Sequence, residues 1–229
     1  MDMPITNNRF LAYFDIMGFK DLIYRNDHAK VEGIIDKMTE CVEAINSVAD
    51  EHINNGNPEM AVKPAMFSDS VIFVSQSDDI VDACYTIFVA SCFMWSMFDN
   101  EIPIKGALAY GRFTADFEKS KFFGRPLVDA YLLAEEVHFY GAVLHHTIEN
   151  FLHGKTHKSL DLIQPHLKKK PVPMKGGNIA HLFVDWTHHV GTTDDKSAET
   201  MMDGFYRTVS GSTRKYVDNT LAVYSKKSV

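Results

Sequence analysis

The sequence predicts an α+β fold in which a mostly antiparallel sheet is covered by helices. Short apolar segments typical of strands and longer segments with apolar residues at helical spacing follow one another along the chain. Their order is strand, helix, hairpin, helix, hairpin, helix. Because strands and helices do not alternate strictly, as they do around a parallel sheet, we expect most neighbouring strands to pair antiparallel.

The first third of the chain predicts a buried strand, a long helix and a hairpin. Phe10–Ile16 is apolar and aromatic, and a glycine turn follows it directly. Apolar residues at helical spacing predict an amphipathic helix over Val31–His52, with a loop at Asn54–Pro58. Met60–Val74 is apolar on both sides of a polar centre, which predicts a hairpin with Asp69 at its tip.

The middle of the chain predicts a very apolar helix followed by a second hairpin. An acidic pair ending at Asp79 is suited to cap a helix that continues to about Phe98 and is apolar on nearly every face. Such a helix is either fully buried or faces another subunit. Ile102–Ala109 predicts a strand and Gly111 a turn, after which Arg112–Phe117 returns as the partner strand.

The last part of the chain predicts elements that complete the domain. Gly124 and Pro126 open a helix that continues to about Glu136. The remaining predicted elements are a polar excursion at about residues 154–177, a strand at Ile179–Trp186 and a helix at about Ala198–Asp218. We expect the whole chain, residues 1–229, to form a single domain.

Composition favours a cytoplasmic globular protein. The 229 residues are 45% hydrophobic and 12% aromatic, which is enough apolar material for a proper core. The sequence contains no run of about 18 uninterrupted apolar residues, so no membrane span is predicted. The start, MDMPITNNRF, lacks the basic flank and apolar run of a secretory signal. The cysteines have no CxxC spacing, so we interpret them as reduced core thiols: Cys41, Cys84 and Cys92.

The charge balance argues against a nucleic-acid-binding protein. The formal net charge is −7, whereas a duplex-binding protein usually presents a broad basic surface. The dense basic run Lys168–Lys170 is flanked by prolines, and we interpret it as a solvated loop. An acidic protein still binds an anionic ligand where metal ions and a few placed cations act locally.

Asp15 and Asp69 are the carboxylates best placed for chemistry. Asp15 ends the buried first strand before the glycine turn, and Asp69 lies at the hairpin tip. If the two strand ends are neighbours, both acids converge at one sheet edge, beside the backbone N–H groups of Ile16–Phe19. Ions such as Mg²⁺ are commonly held by one or two carboxylates together with substrate phosphates. The same residues also fit a structural role, as turn acids that accept hydrogen bonds from local amides.

Other catalytic motifs are missing from the sequence. The pairs His145-His146 and His188-His189 have neither the H-E-x-x-H nor a Cys/His spacing, so no closed zinc ligand set is predicted. No G-x-S-x-G motif and no P-loop occurs.

Four segments, in order, resemble the motifs of class III nucleotidyl cyclases. FLAYFDIMGFKDL resembles their first metal-binding segment, F-x-D-I-x-G-F, and MFSDSVIFV resembles the second. IPIKGALAYGRF is similar to the strand-turn segment R-x-G-I-x-x-G, with Lys105 at the arginine position. KFFGRPLVDAYLLAEE resembles W-G-x-x-V-N-x-A-x-R-L-E, and together the segments cover most of residues 10–136.

The resemblance implies a ferredoxin-like fold, a metal-dependent reaction and a homodimer. It implies that Asp15 and Asp69 bind two divalent ions, Mn²⁺ or Mg²⁺, with the Ile16 carbonyl as a further ligand. The amides of Gly18 and Phe19 would hold the nucleotide phosphates. The family's active sites are composite and form at a head-to-tail homodimer interface. In the implied reaction the ribose 3′-hydroxyl attacks the α-phosphate and pyrophosphate leaves.

Two positions depart from the family's adenine-reading pattern. Adenylate cyclases read adenine with a lysine just before the metal-binding aspartate, and with an aspartate or threonine before the W-G glycine. Here Ala65 and Lys121 occupy these positions. Lys121 can only donate, which suits a carbonyl such as uracil O4 better than an exocyclic amine. Alternatively, Lys121 simply points into solvent.

The fourth segment also lacks the asparagine and arginine that usually stabilise the family's transition state. Asp129 and Leu132 lie in that region, beside further apolar residues. Either positively charged residues from elsewhere replace the missing asparagine and arginine, or the protein is inactive. The candidate cations are Arg112, Arg125 and Lys105.

A small cyclase-like chain with this pattern resembles the pyrimidine cyclases of bacterial Pycsar antiphage systems, which make cyclic UMP or cyclic CMP for a dedicated effector. We predict a cytoplasmic homodimer that converts a pyrimidine nucleoside triphosphate, UTP before CTP, to its 3′,5′-cyclic monophosphate, without a nucleic acid or membrane partner. The rival prediction is a catalytically silent cyclase-like domain that binds nucleotide or a protein partner. A diguanylate cyclase is disfavoured, because Phe67–Ser70 is not its G-G-[DE]-E-F hairpin.

Overall fold

The computed structural model describes residues 5–52, 62–188 and 197–224, and the strands in these ranges form a single eight-stranded sheet. The strands are β1 (Thr6–Ile16), β2 (Lys63–Phe67), β3 (Ser70–Val74), β4 (Ile104–Asp116), β5 (Lys121–Gly124), β6 (Gly141–Leu144), β7 (Leu167–Met174) and β8 (Gly177–Val184). Their order across the sheet is β2-β3-β1-β4-β6-β8-β7, and β5 pairs with the C-terminal end of β4. The pairing of β4 with β6 is parallel, and the other pairings between described strands are antiparallel. The predicted α+β fold with a mostly antiparallel sheet is confirmed.

Helices cover both faces of the sheet. They are α1 (Phe19–Arg25), α2 (His28–His52), α3 (Ile80–Asp99), α4 (Arg125–Glu136), α5 (His146–Leu152), α6 (Ser159–Ile163), α7 (Ala198–Thr208) and α8 (Arg214–Tyr224). Successive side chains of a strand point to opposite faces. Phe14 of β1 packs against Phe93 of α3 with ring centroids 5.1 Å apart, and Tyr13 packs against Tyr131 of α4 at 5.7 Å. Helices α3 and α4 therefore lie on opposite faces of β1.

Helix α3 lies in the hydrophobic core. Within the described ranges it is the one helix long and apolar enough to cross a membrane, but 72% of its most apolar stretch is buried inside the protein. Of the two roles that its sequence allows, burial and subunit contact, the structure shows burial. Its start is capped as predicted, because the Asp79 side chain accepts a hydrogen bond from the Asp82 amide at 2.8 Å.

Further predicted elements are present. The strand predicted at Phe10–Ile16 is the buried part of β1. The predicted hairpin is formed by β2 and β3, joined by a turn at Ser68 and Asp69. Helix α4 begins after Gly124, as predicted, with a proline in its first turn. The predicted loop Asn54–Pro58 lies outside the described residues.

The prediction of a turn at Gly111 is wrong. Strand β4 continues through Gly111 to Asp116, and the chain reverses at residues 117–120 before β5 returns. Gly111 instead allows α4 to pack closely on β4, because a Cβ atom built there would lie 3.3 Å from the Pro126 side chain of α4. Ser120, with φ of 51°, adopts the left-handed conformation in the actual turn.

The prediction of a solvated loop at Lys168–Lys170 is also wrong. These lysines belong to β7, the last strand of the sheet. Prolines are tolerated in such an edge strand, because part of its backbone needs no partner, and edge lysines discourage pairing with other chains. Lys168 forms an ion pair with the buried Asp185, and Lys169 pairs with Glu149 at 3.2 Å.

The helix predicted at about Ala198–Asp218 is two helices, α7 and α8, separated by Val209 to Thr213. Gly211 adopts a left-handed φ of 62° between them, which a continuous helix does not allow. The predicted polar excursion contains α6 and β7, and the sequence reasoning missed α1, β5, β6 and α5. The missed elements each have seven residues or fewer, too few for a clear periodic pattern.

Candidate active site

The sheet brings Asp15 and Asp69 to neighbouring positions at one edge. Asp15 of β1 lies opposite Ser70 of β3, and Asp69 precedes Ser70 in the hairpin turn. The Ile16 amide donates a hydrogen bond to the Asp69 carbonyl oxygen at 3.0 Å, which ties the turn to the end of β1. The tight turn is possible because Ser68 adopts a left-handed φ of 55°. The predicted convergence of the two acids is present.

Two hydroxyl groups are hydrogen-bonded in series to the Asp15 carboxylate. The Ser70 hydroxyl donates to Asp15 Oδ1 at 2.9 Å, and the Tyr13 hydroxyl oxygen lies 3.1 Å from Ser70 Oγ. Tyr13 and Asp15 are two residues apart on β1 and share a face of the sheet. Sequence reasoning missed both hydroxyl groups, although the alternation of β1 places Tyr13 beside Asp15.

Lys105 lies on the other side of Asp15, as its partner in β4. Its ammonium group is 2.7 Å from Glu135 Oε1 of α4, and the residue is 9% exposed. Glu135 is a second residue that sequence reasoning missed, because nothing in the spacing of α4 indicates which carboxylate reaches the sheet. The Lys105 ammonium group therefore forms an ion pair with Glu135 of α4, and the residue also lies beside Asp15.

The Asp15 carboxylate is held in an environment that disfavours its charge. Burial raises its pKa to about 6, and the negative charges of Asp69 and Glu135 act in the same direction. The Ser70 hydrogen bond and the positive charge of Lys105 lower the pKa of Asp15 and offset part of this effect. A cation placed between Asp15 and Asp69 would relieve this cost, which makes the pair a fitting donor set for a divalent ion.

Carboxylate oxygens are the ligands that Mg²⁺ and Mn²⁺ prefer, and the two aspartates supply them. In residues 5–52, 62–188 and 197–224, no group of three or more His, Cys, Asp or Glu side chains is arranged to hold a metal ion. A site built on Asp15 and Asp69 would therefore draw further oxygens from backbone carbonyls, water or a bound phosphate. This is common for Mg²⁺, which is rarely coordinated by protein ligands alone.

The chain turns sharply between Asp15 and helix α1. The Met17 amide donates to the Pro103 carbonyl oxygen at 2.8 Å, and Gly18 follows with a left-handed φ of 76°. A Cβ atom built on Gly18 would have no neighbour within 4 Å, so the space over this turn is open. The first residue of α1, Phe19, is buried and anchors the turn on the core.

Two of the predicted cations lie away from the two aspartates within one chain. Arg112 is exposed on β4, seven positions beyond Lys105, and its strand partner is Asn8. Arg125 begins α4, where its 81% exposed side chain forms an ion pair with Asp129 at 3.3 Å. Lys105 is thus the one predicted cation that the fold brings beside Asp15.

The two positions predicted to read the base lie on β2 and β5. Ala65 is half-buried on β2 opposite Ile72, and Lys121 is exposed at the start of β5. The ends of these strands approach one another, because the rings of Phe67 and Phe122 pack edge to face at 5.5 Å. Aromatic side chains therefore flank the region between the two positions.

The outer face of α4 carries several exposed apolar side chains. Val128 and Leu132, one helical turn apart, are 55% and 57% exposed, and Tyr131 beside them is 47% exposed. Phe123, just before the helix, is 61% exposed. Exposed apolar groups gathered in this way are typical of a surface that contacts a partner. We call these four residues the α4 patch.

No protein-family model matches the sequence, and no curated protein matches it. Among solved structures, the chain is similar to the catalytic core of a rhodopsin-guanylyl cyclase with converted specificity, in complex with ATPαS. That match has a TM-score of 0.55 and 14% identity, and it covers 78% of this chain and 95% of that chain. The guanylate cyclase domain of RhGC from Catenaria anguillulae, in complex with GTP, matches with a TM-score of 0.53 and 14% identity, covering 78% and 96%.

A bacterial light-regulated adenylyl cyclase also matches, with a TM-score of 0.51 and 10% identity, over 90% of this chain and all of that chain. These structures are of guanylyl and adenylyl cyclases. The chain therefore has the α+β fold of a cyclase catalytic domain, as its motifs predict. At identities this low, the likeness establishes the fold alone.

Proposed function

We propose that the protein is a metal-dependent nucleotide cyclase. It converts a pyrimidine nucleoside triphosphate, UTP in preference to CTP, to the 3′,5′-cyclic monophosphate and pyrophosphate. One observation carries the proposal: Asp15 and Asp69 adjoin at the sheet edge, beside the open turn at Gly18. The match of this fold to purine nucleotide cyclases supports cyclase chemistry.

Asp15, Asp69 and the Ile16 carbonyl would hold two divalent ions, Mn²⁺ or Mg²⁺. Such ions activate an attacking oxygen and neutralise charge on the reacting phosphate. Burial and the negative charge of Asp69 both raise the pKa of Asp15, and a bound cation would offset the cost of charging this carboxylate. Asp15 and Asp69 therefore contribute binding and charge, and neither needs to form a covalent bond.

The cyclisation is a balanced intramolecular displacement. The ribose 3′-oxygen forms a bond to the α-phosphorus, and the bond from the α-phosphorus to the bridging oxygen breaks. Pyrophosphate leaves with that electron pair, and the 3′-hydroxyl proton passes to solvent. The amides of Gly18 and Phe19 would hold the phosphates in the open turn, and catalysis then depends mainly on positioning and electrostatic stabilisation.

The pyrimidine assignment rests on the positions that would read the base. Ala65 offers no hydrogen bond, and Lys121 has an ammonium group that can only donate. A donor matches uracil O4, whereas the adenine amino group would require an acceptor. The donor therefore favours UTP over ATP, and CTP is the second choice because the motifs resemble those of pyrimidine cyclases.

The proposed active form is a homodimer with composite sites. Arg112 and Arg125 are exposed and lie away from Asp15 within their own chain, so they are available to a site on a second subunit. The α4 patch supplies apolar surface for the contact. In the cell, we propose a cytoplasmic enzyme that makes a second messenger for antiphage defence, without a nucleic acid or membrane partner.

The proposal is tested by incubating the purified protein separately with ATP, GTP, CTP and UTP in Mn²⁺ or Mg²⁺. Liquid chromatography with mass spectrometry would identify the products, and a coupled assay would follow pyrophosphate. We expect 3′,5′-cyclic UMP and equimolar pyrophosphate from UTP, and less product from CTP. The absence of every cyclic product would overturn the proposal.

A second candidate is a catalytically silent domain that binds nucleotide. The observation that favours it is the apolar α4 patch, in the segment where cyclases usually carry the asparagine and arginine that stabilise the transition state. Arg125 and Lys105 are also engaged in ion pairs within their own chain. This candidate predicts nucleotide binding by calorimetry together with no product from any of the four triphosphates.

A further inference from the structure

The Asp15 carboxylate is held by a hydrogen-bonded chain that the cyclase proposal does not use. Ser70 Oγ lies 2.9 Å from Asp15 Oδ1 and 3.1 Å from the Tyr13 hydroxyl oxygen. A serine has one proton to donate, and an ionised carboxylate has none. Since Ser70 gives its proton to Asp15, the hydrogen bond between the two hydroxyl groups must be donated by Tyr13.

The direction of this chain fixes the Ser70 hydroxyl. A lone serine hydroxyl rotates freely and holds a carboxylate only part of the time. Here the Tyr13 donor occupies a lone pair of Ser70 Oγ, so the Ser70 proton is directed to Asp15. Strand pairing also holds the two residues together, because Ser70 is the direct cross-strand partner of Asp15. The hydrogen bond from Ser70 thereby restricts the rotation of the Asp15 carboxylate.

The Tyr13 ring is packed in place. Tyr13 is 8% exposed, and the edge of the Tyr131 ring of α4 packs against it with centroids 5.7 Å apart. The donor at the start of the chain is therefore fixed by the packing of α4 on the sheet. Residues that orient a metal ligand in this way commonly contribute tenfold to hundredfold to metal affinity.

We propose that Ser70 and Tyr13 are positioning residues, which hold the Asp15 carboxylate in the orientation that binds a divalent ion. This inference rests on the proposed function for the presence of the ion. Neither hydroxyl group needs to contact the metal or the nucleotide. Both act through Asp15, so their removal weakens metal binding more than it slows turnover at saturating metal.

The test measures Mn²⁺ affinity by electron paramagnetic resonance, with α,β-methylene UTP bound to the protein and a correction for Mn²⁺ held by the nucleotide alone. We expect Ser70→Ala to raise the Mn²⁺ dissociation constant about tenfold or more. Tyr13→Phe, which removes only the hydroxyl group, is expected to raise it several-fold. Ser70→Thr keeps the donor and should restore affinity close to that of the wild type.

Tyr110→Phe is the matched control, because it also removes a tyrosine hydroxyl bonded to a carboxylate, that of Asp78 at 3.3 Å. It should leave the Mn²⁺ dissociation constant unchanged. In turnover assays, Ser70→Ala and Tyr13→Phe should raise the Mn²⁺ concentration for half-maximal rate while kcat at saturating Mn²⁺ stays within about threefold.

The possible failures are distinguishable. If the wild-type protein binds no Mn²⁺ beyond that held by the nucleotide, the proposed function itself is wrong. If the wild type binds Mn²⁺ and both Ser70→Ala and Tyr13→Phe bind it equally well, the positioning role is wrong and the metal site stands. Should Ser70→Ala fail to fold, the Mn²⁺ dissociation constant of the nearly isosteric Tyr13→Phe variant tests the positioning role.

Discussion

The Ile16 amide donates a 3.0 Å hydrogen bond to the Asp69 carbonyl oxygen, which joins the residue after Asp15 to the turn that carries Asp69. The two carboxylates are thus set by one backbone contact and by the pairing of Asp15 with Ser70. Sites built on strands in this way are held more rigidly than sites on loops. Backbone pairing between β1 and the distant β2–β3 hairpin brings the two acids together.

The base preference should depend on Lys121. Lys121→Ala is expected to lower UTP turnover by about tenfold or more, because one hydrogen bond from a charged donor contributes about 1.5–3 kcal/mol. The ratio of UTP to ATP rates, measured under the same conditions, should fall with it. Lys119→Ala, which changes another exposed lysine of the same hairpin, is the control and should leave the ratio unchanged. An unchanged ratio for Lys121→Ala would show that this lysine is only a surface residue.

The α4 patch should be required for assembly. Leu132→Asp places a charge on the exposed apolar face of α4, where burial in a dimer interface would be costly. We expect analytical ultracentrifugation to show a monomer and activity assays to show loss of turnover. Ile179→Asp, at an apolar position of β8 that is 45% exposed, is the control. A Leu132→Asp protein that remains dimeric would exclude this face as the interface.

The composite site should be recoverable by mixing two inactive variants. If Asp69 acts from one subunit and Arg112 from the other, Asp69→Asn and Arg112→Ala together restore one site in each mixed dimer. With random exchange half of the dimers are mixed, so activity should return to roughly a quarter of the wild type. Arg125→Ala is tested in parallel. No recovery with either arginine variant, once native mass spectrometry confirms mixed dimers, would exclude both as cations acting across the interface.

Sequence reasoning found the two aspartates because strand ends and turns leave local signals. Asp15 follows an apolar strand and precedes a glycine, and Asp69 interrupts an apolar hairpin. Both signals lie within a few residues of the functional group. The β2–β3 hairpin and the start of α4 were predictable for the same reason.

Long-range contacts were not predictable from these patterns. The ion pair of Lys105 with Glu135 joins residues that are 30 positions apart, and only the packing of α4 on β4 makes it possible. Gly111 was misread because a glycine that admits Pro126 has the same sequence signal as a glycine in a turn. The prolines of β7 were misread because their tolerance depends on an edge position that the sequence does not state.

The central claim is that Asp15 and Asp69 act together on one metal-dependent reaction, and turnover of the single and double variants tests it most directly. Mn²⁺-dependent conversion of UTP should fall at least about 10³-fold in Asp15→Asn and in Asp69→Asn, because charge neutralisation by bound metal contributes several kcal/mol. The double variant should lose little more than either single variant, as expected for residues that work as a unit. Melting temperatures should stay close to that of the wild type, since neither side chain lies in the core. Comparable turnover in either single variant, or losses that multiply in the double variant, would contradict the account.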